Sequence, residues 1–153
     1  MDEKIDLDAK IAILLKQVCF LRLTSEEIET LAGLLKEQKF AAGQTLVTEG
    51  ELVDSIYLIV KGTAQVQHIS LKNGVRTTQT VATLNPGEAI GLNETGFYSL
   101  TGLRTATVIA GTDMLVLRLS VAAFHGFALA FSHVNEVMRS NQGLQDSSDV
   151  NNS

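Results

Sequence analysis

Apolar positions along this 153-residue chain change their period twice. Near the N-terminus Ile11, Leu14, Leu15 and Val18 recur at helical spacing. The stretch TSEEIETLAGLLKEQ carries the same period onward. Thr24 is its expected N-cap, Glu27 three residues later completes a capping box, and Ile28, Leu31, Ala32 and Leu35 form one apolar face. Lys36 and Lys39 suit the negative end of that helix dipole, so a helical lead-in is expected over residues 5–38.

From Gly43 the texture becomes one of short strands between turn signals. The runs QTLVT, SIYLIV, TAQVQHIS, VRTTQTVATL, TATVIA and MLVLRL each read as a strand, and Asn73-Gly74 is a strong hairpin turn because both residues tolerate positive φ. Strands punctuated this closely predict a sandwich or barrel-like roll over 43–119. Ser120 is the expected N-cap of a last helix over 121–139, with Phe124, Leu129, Phe131 and Val134 as its apolar positions. The remainder, 140–153, is polar and rich in Gly, Ser and Asn, and is expected to be disordered. The fold class predicted is mainly β with flanking helices: a double-stranded, jelly-roll-like β-roll with N-terminal helices and a short C-terminal helix, in one domain over 1–139.

Composition narrows the function. The net charge of −5 argues against a nucleic-acid partner, which needs a basic footprint. Cys19 is the sole cysteine, so neither an internal disulfide nor a thiolate metal cluster can form, and its apolar neighbours predict a buried, inert thiol. The acidic start Met1-Asp2-Glu3 is unlike a signal peptide, and the apolar stretch VAAFHGFALAF is too short to span a bilayer. The expected compartment is the cytoplasm, with no membrane contact by this chain. His68, His125 and His133 form no close ligand pair in any strand, no nucleophile-base grouping stands out, and no cofactor is implied; the chain is expected not to be an enzyme.

One segment breaks the regular roll. After Pro86-Gly87 the run EAIGLNETGFYSLTGL, residues 88–103, holds Gly91, Gly96 and Gly102 and at most one short helix. Irregular backbone between scaffold strands is where binding sites usually lie. The segment ends at Arg104, a permanent charge inside an otherwise apolar strand pattern. Beside the N-terminus of a short helix, a guanidinium would make a phosphate clamp walled by apolar strands. The competing reading puts Arg104 at a strand edge, its head in water or on a carboxylate such as Glu88.

These residues resemble a known family, the cyclic nucleotide-binding domains. AAGQTLVTEGELVDSIYLIVKGTAQV is similar to the glycine-punctuated first half of that family's roll, with Gly43, Glu49-Gly50, Asp54, Tyr57, Ile59 and Gly62 in place. LNPGEAIG resembles the turn into its phosphate-binding cassette, and LRTATVIAGTDMLVLRLS the exit. The resemblance implies that Arg104 binds the cyclic phosphate of cAMP or cGMP, that Ala106 offers a backbone N–H to it, and that Thr105 permits guanine as well as adenine. It also implies a cassette over Ile90, Gly91, Leu92, Asn93 and Glu94. The family's ribose-binding glutamate is replaced by Leu92. Either Glu94 substitutes for it in a shifted cassette, or that contact is lost; the register of Gly87-Glu88 and Gly91 favours loss. The implied role is a regulatory sensor whose C-terminal helix moves on binding, with a protein partner or output domain beyond it. The alternative is a degenerate roll that binds no cyclic nucleotide and serves as an interaction or oligomerisation module.

Overall fold

The computed structural model describes residues 5–93, 96–97 and 102–140. Helix α1 (Leu7–Leu14) is capped by the Asp6 carboxylate, and a 3₁₀ turn (Val18–Phe20) leads to α2 (Ser25–Gly33). The predicted capping box on α2 is formed: the Thr24 hydroxyl accepts from the Glu27 amide at 3.2 Å, and the Thr24 amide donates to Glu27 Oε1 at 2.7 Å. Strands β1 (Lys36–Phe40), β2 (Thr45–Val47), β3 (Ser55–Lys61), β4 (Ala64–Lys72) and β5 (Val75–Leu84) follow. Next come the short β6 (Ala89–Ile90), β7 (Leu92–Asn93) and β8 (Gly96–Phe97), then β9 (Thr107–Ala110) and β10 (Met114–Ser120). Helix α3 (Val121–Ala130) is capped by Ser120, as predicted, and a further helix α4 covers 132–140.

The strands form two main antiparallel sheets, ordered β1-β10-β3-β6 and β2-β9-β4-β5. Asn73 and Gly74 both take positive φ at the β4–β5 hairpin, with Lys72 facing Val75 across a two-residue turn. In the first sheet, β3 and β10 are buried on both faces. Ile56, Leu58, Leu117 and Leu119 face the helices, where they join Leu14, Phe20, Leu31 and Val134. Their neighbours Tyr57, Ile59, Met114 and Val116 point the other way, into a second core shared with Val47, Ala64, Val108 and Ala110. This double burial is why SIYLIV and MLVLRL are continuous rather than alternating hydrophobic runs.

The architecture is the predicted one, mostly antiparallel sheet with flanking helices, but five local expectations change. The helical lead-in stops at Gly33 rather than 38, and Lys36 and Lys39 belong to β1, not to a helix end. β1 is an edge strand with mostly exposed charged positions, so its pattern lacks a buried stripe; pairing with β10 from Lys36↔Arg118 to Phe40↔Met114 decides its state. In α1, Leu15 and Val18 are exposed, because the helix ends at Leu14 and the phase is lost. The single C-terminal helix over 121–139 is two helices: Phe131 is extended (φ −124°, ψ 96°), and the bend lets Val134 and Val137 reach the core. Leu129 is exposed; Phe127 and Ala128 take the buried face in an α3 that is apolar all round. Of the tail expected from 140 onward, Ser140 is helical and 141–153 lie outside the described residues.

Cys19 is buried, and that burial pushes its thiol pKa up to about 12. Because only the thiolate reacts, a thiol reagent at pH 8 is expected to label Cys19 only as fast as the chain unfolds. Labelling at the rate of a free thiol in native buffer would contradict this burial.

Candidate ligand-binding site

The segment 49–55 and the approach to β9 clasp each other. The Arg104 amide donates to the Glu51 carbonyl at 2.7 Å, the Gly50 amide donates to the Arg104 carbonyl at 2.9 Å, and Leu52 bridges Leu103. The clasp fixes the Arg104 backbone and sends its side chain inward. The residue is only 7% exposed, so it neither snorkels to water nor meets Glu88, whose carboxylate instead accepts from the Asn85 amide at 3.1 Å.

The guanidinium is held on one side. Nη2 donates to the Ser55 carbonyl at 2.7 Å and lies 3.9 Å from Asp54 Oδ1. Nη1 is buried and has no hydrogen-bond partner among the described residues. Burial pulls the guanidinium pKa down, partly offset by Tyr57, Asp54 and Glu51. Arginine nevertheless keeps its charge in proteins. An unpaired buried donor costs about 1–3 kcal/mol, more when charged, and an entering anion would recover that cost.

A cavity of about 230 Å³ opens beside Arg104. Val47, Val66, Leu84 and Val108 form its apolar walls, and of the sequence candidates Ile90, Gly91, Leu92, Arg104, Thr105 and Ala106 line it. Asn93 lies in β7, paired with Gly96, and Glu94 lies outside the described residues. No described lining residue is acidic, and Leu92 presents an apolar surface where the resemblance calls for a carboxylate. The segment 88–103, which has room for at most one short helix, shows none among its described residues, where β6, β7 and β8 lie. Any anion clamp here is therefore built on Arg104 and the adjoining backbone rather than on a helix N-terminus among those residues.

Gly91 makes the arrangement sterically feasible. It adopts φ +90°, and a Cβ there would lie 3.0 Å from Arg104 Nη1 and 3.2 Å from Ile56 Cγ2. Sequence reasoning missed how Arg104 is supported. Asp54 was visible as a motif position, but Ser55 acts through its carbonyl, which no residue pattern reveals.

The sequence pattern of the cyclic nucleotide-binding domain matches residues 37–130, more than half of the chain. The chain belongs to that family. No curated protein matches it in sequence. Solved structures share the fold of this cyclic nucleotide-binding domain. The N-terminal domain of a transcriptional regulator from Streptomyces coelicolor A3(2) is 24% identical, with a TM-score of 0.73 over 90% of this chain and 94% of that one. The regulatory domain of Toxoplasma gondii PKA, crystallised with cAMP, is 22% identical, with a TM-score of 0.68 over 82% of this chain. This chain spans 46% of that structure. The regulatory subunit of a cAMP-independent protein kinase A from Trypanosoma brucei is 20% identical, with a TM-score of 0.63 over 89% of this chain and 47% of that one. Among the described residues no helix is long and apolar enough to cross a membrane.

Two substitutions test the geometry without ligand. Arg104→Met replaces a half-satisfied buried charge by an apolar chain of similar reach, and is expected to leave the unfolding free energy within about 1 kcal/mol or raise it. A loss of about 3 kcal/mol or more in urea unfolding would make Arg104 a structural residue instead. Gly91→Ala forces positive φ on a side chain that meets Nη1, and is expected to cost about 1–3 kcal/mol. A neutral result would mean the guanidinium is not where this geometry puts it.

Proposed function

We propose that this domain is a regulatory, non-enzymatic module that binds a cyclic nucleotide, cAMP or cGMP, through Arg104 and signals through its C-terminal helices. The observation that carries the reading is Arg104 Nη1, buried at the wall of an apolar cavity with no hydrogen-bond partner among the described residues. A cyclic phosphodiester would supply the missing acceptor, with the flat faces of its base against walls made of aliphatic side chains. Thr105 is the lining residue able to meet the base or phosphate by a hydroxyl, so both purines are admitted. The segment that holds the guanidinium also holds the output element. The Asp54 carbonyl accepts the first amide of α3, from Val121 at 2.8 Å, and Ser55 pairs with Ser120 in the sheet. Ligand that repositions Arg104 therefore acts on residues directly bonded to the start of α3. We place the module in the cytoplasm, acting on a protein partner or an output domain.

A second reading is favoured by Leu92. With no carboxylate in the described lining, the ribose hydroxyl has no charged acceptor there, and the roll would then serve as an interaction module without a nucleotide ligand. The cAMP-independent relative has the same fold. Isothermal calorimetry with cAMP and cGMP separates the two. The sensor reading expects saturable one-to-one binding, weakened at least a hundredfold, about 3 kcal/mol, in Arg104→Ala. Absence of binding at millimolar ligand supports the interaction module, and binding unaffected by Arg104→Ala removes this residue from the mechanism.

A further inference from the structure

Polarity in the Arg104 cavity is concentrated in one side chain. Apart from Gly91, Arg104 and Thr105, every described lining residue is Ala, Val, Leu or Ile. Thr105 is exposed and Arg104 is buried, so the buried part of the lining carries a single polar side chain. The Ser55 carbonyl takes Nη2, which leaves Nη1 without a partner among the described residues rather than the whole guanidinium fork. Asp54 Oδ1, 3.9 Å from Nη2, offsets part of the positive charge and would repel a second negative charge brought beside it. The site therefore asks for one compact acceptor group with a single negative charge. Toward the outside the surface stays apolar. Leu103 lines the cavity and is bridged to Leu52, and the two are 41% and 74% exposed.

We propose that this cavity takes apolar monocarboxylates, a ligand class separate from nucleotides. The carboxylate accepts from Arg104 Nη1, the aliphatic body lies against Val47, Val66, Ile90 and Leu92, and its far end covers Leu103 and Leu52. Such a ligand supplies the one acceptor that the lining lacks and sets no other polar group against aliphatic walls. Its remaining atoms are methylenes, and each one moved from water onto these walls gives about a fourfold gain in affinity. The exposed Leu52–Leu103 pair offers apolar surface outside the cavity to the end of a longer chain. A monocarboxylate uses the same cavity and the same arginine as the proposed nucleotide, yet its fit does not require that a nucleotide binds.

Isothermal calorimetry on the full chain with hexanoate and octanoate, and with 1-octanol as the uncharged counterpart, tests this assignment. Octanoate is expected to bind one-to-one at millimolar concentration or below, about fifteenfold more tightly than hexanoate for its two added methylenes. 1-Octanol is expected to bind at least roughly tenfold more weakly than octanoate, because it lacks the charge that strengthens the bond to Nη1. Arg104→Met is expected to weaken octanoate by a similar factor. Leu52→Ser, at an exposed position, is expected to shrink the step from hexanoate to octanoate below about fivefold. No octanoate binding at millimolar ligand, equal affinity for octanoate and 1-octanol, or octanoate binding untouched by Arg104→Met each overturns the assignment. An unchanged step in Leu52→Ser overturns the placing of the chain end on Leu52 and Leu103. Titration with cAMP separates this ligand class from the nucleotide. Octanoate binding without cAMP binding upholds the carboxylate site and removes the sensor; cAMP binding without octanoate binding does the reverse. Where both bind, octanoate is expected to compete with cAMP, and independent binding would overturn its place in this cavity.

Discussion

A guanidinium taken out of water has to be met by acceptors on most of its hydrogen-bonding edge, or the fold carries the cost of the deficit. Arg104 meets this constraint halfway. The clasp between residues 49–55 and 102–104 fixes its backbone, the Ser55 carbonyl takes one nitrogen, and Gly91 withholds a side chain from the space the other nitrogen occupies. Each of these features helps to place the charge inside, and among the described residues none completes its hydrogen bonding. The site is thus an arrangement in which the roll stabilises the position of a charge more fully than the charge itself.

The strands that support this arrangement, β3 and its partner β10, are buried on both faces, so they lie between the cavity and the helices. β3 carries Tyr57 and Ile59 toward the inter-sheet core and Ile56 and Leu58 toward the helical layer. Residues 54 and 55 stand where this strand begins, next to β10 and the first turn of α3. A close-packed interior transmits displacements rather than absorbing them, so a shift at the Arg104 end of β3 has little room to dissipate before it reaches the helices.

Much of this was legible in the sequence because local signals and global burial agree. Asn73-Gly74, the Thr24–Glu27 box and the Ser120 cap each act within four residues of themselves, so their signatures survive without tertiary information. β1 did not, because an exposed edge strand of Lys, Glu and Gln carries no stripe to read and is defined by its partner, β10. α3 and α4 were merged because a stretch apolar on all sides hides which residue turns inward and where the chain bends. In the site, Arg104 stood out as a charge in an apolar run and Gly91 as a glycine in an irregular segment. The Ser55 carbonyl was invisible, since every residue has one.

The cavity's chemistry also bounds what it can select. A site whose buried polar group would be stranded by the wrong ligand can discriminate by roughly 10⁴–10⁵, whereas apolar walls that merely fit or misfit a methylene discriminate by roughly 10–200-fold. Here the polar group is a single cation and the walls are Val, Leu, Ile and Ala. A molecule with no acceptor to offer would be disfavoured by the first mechanism, because it would leave Nη1 unpaired. Anions with bodies of similar shape are separated only by the second, and by whatever the Thr105 hydroxyl adds. With Leu92 apolar, no described side chain in the lining offers a carboxylate to a sugar hydroxyl. For the cyclic nucleotide proposed above, charge would therefore be the primary selection and the base a weaker one.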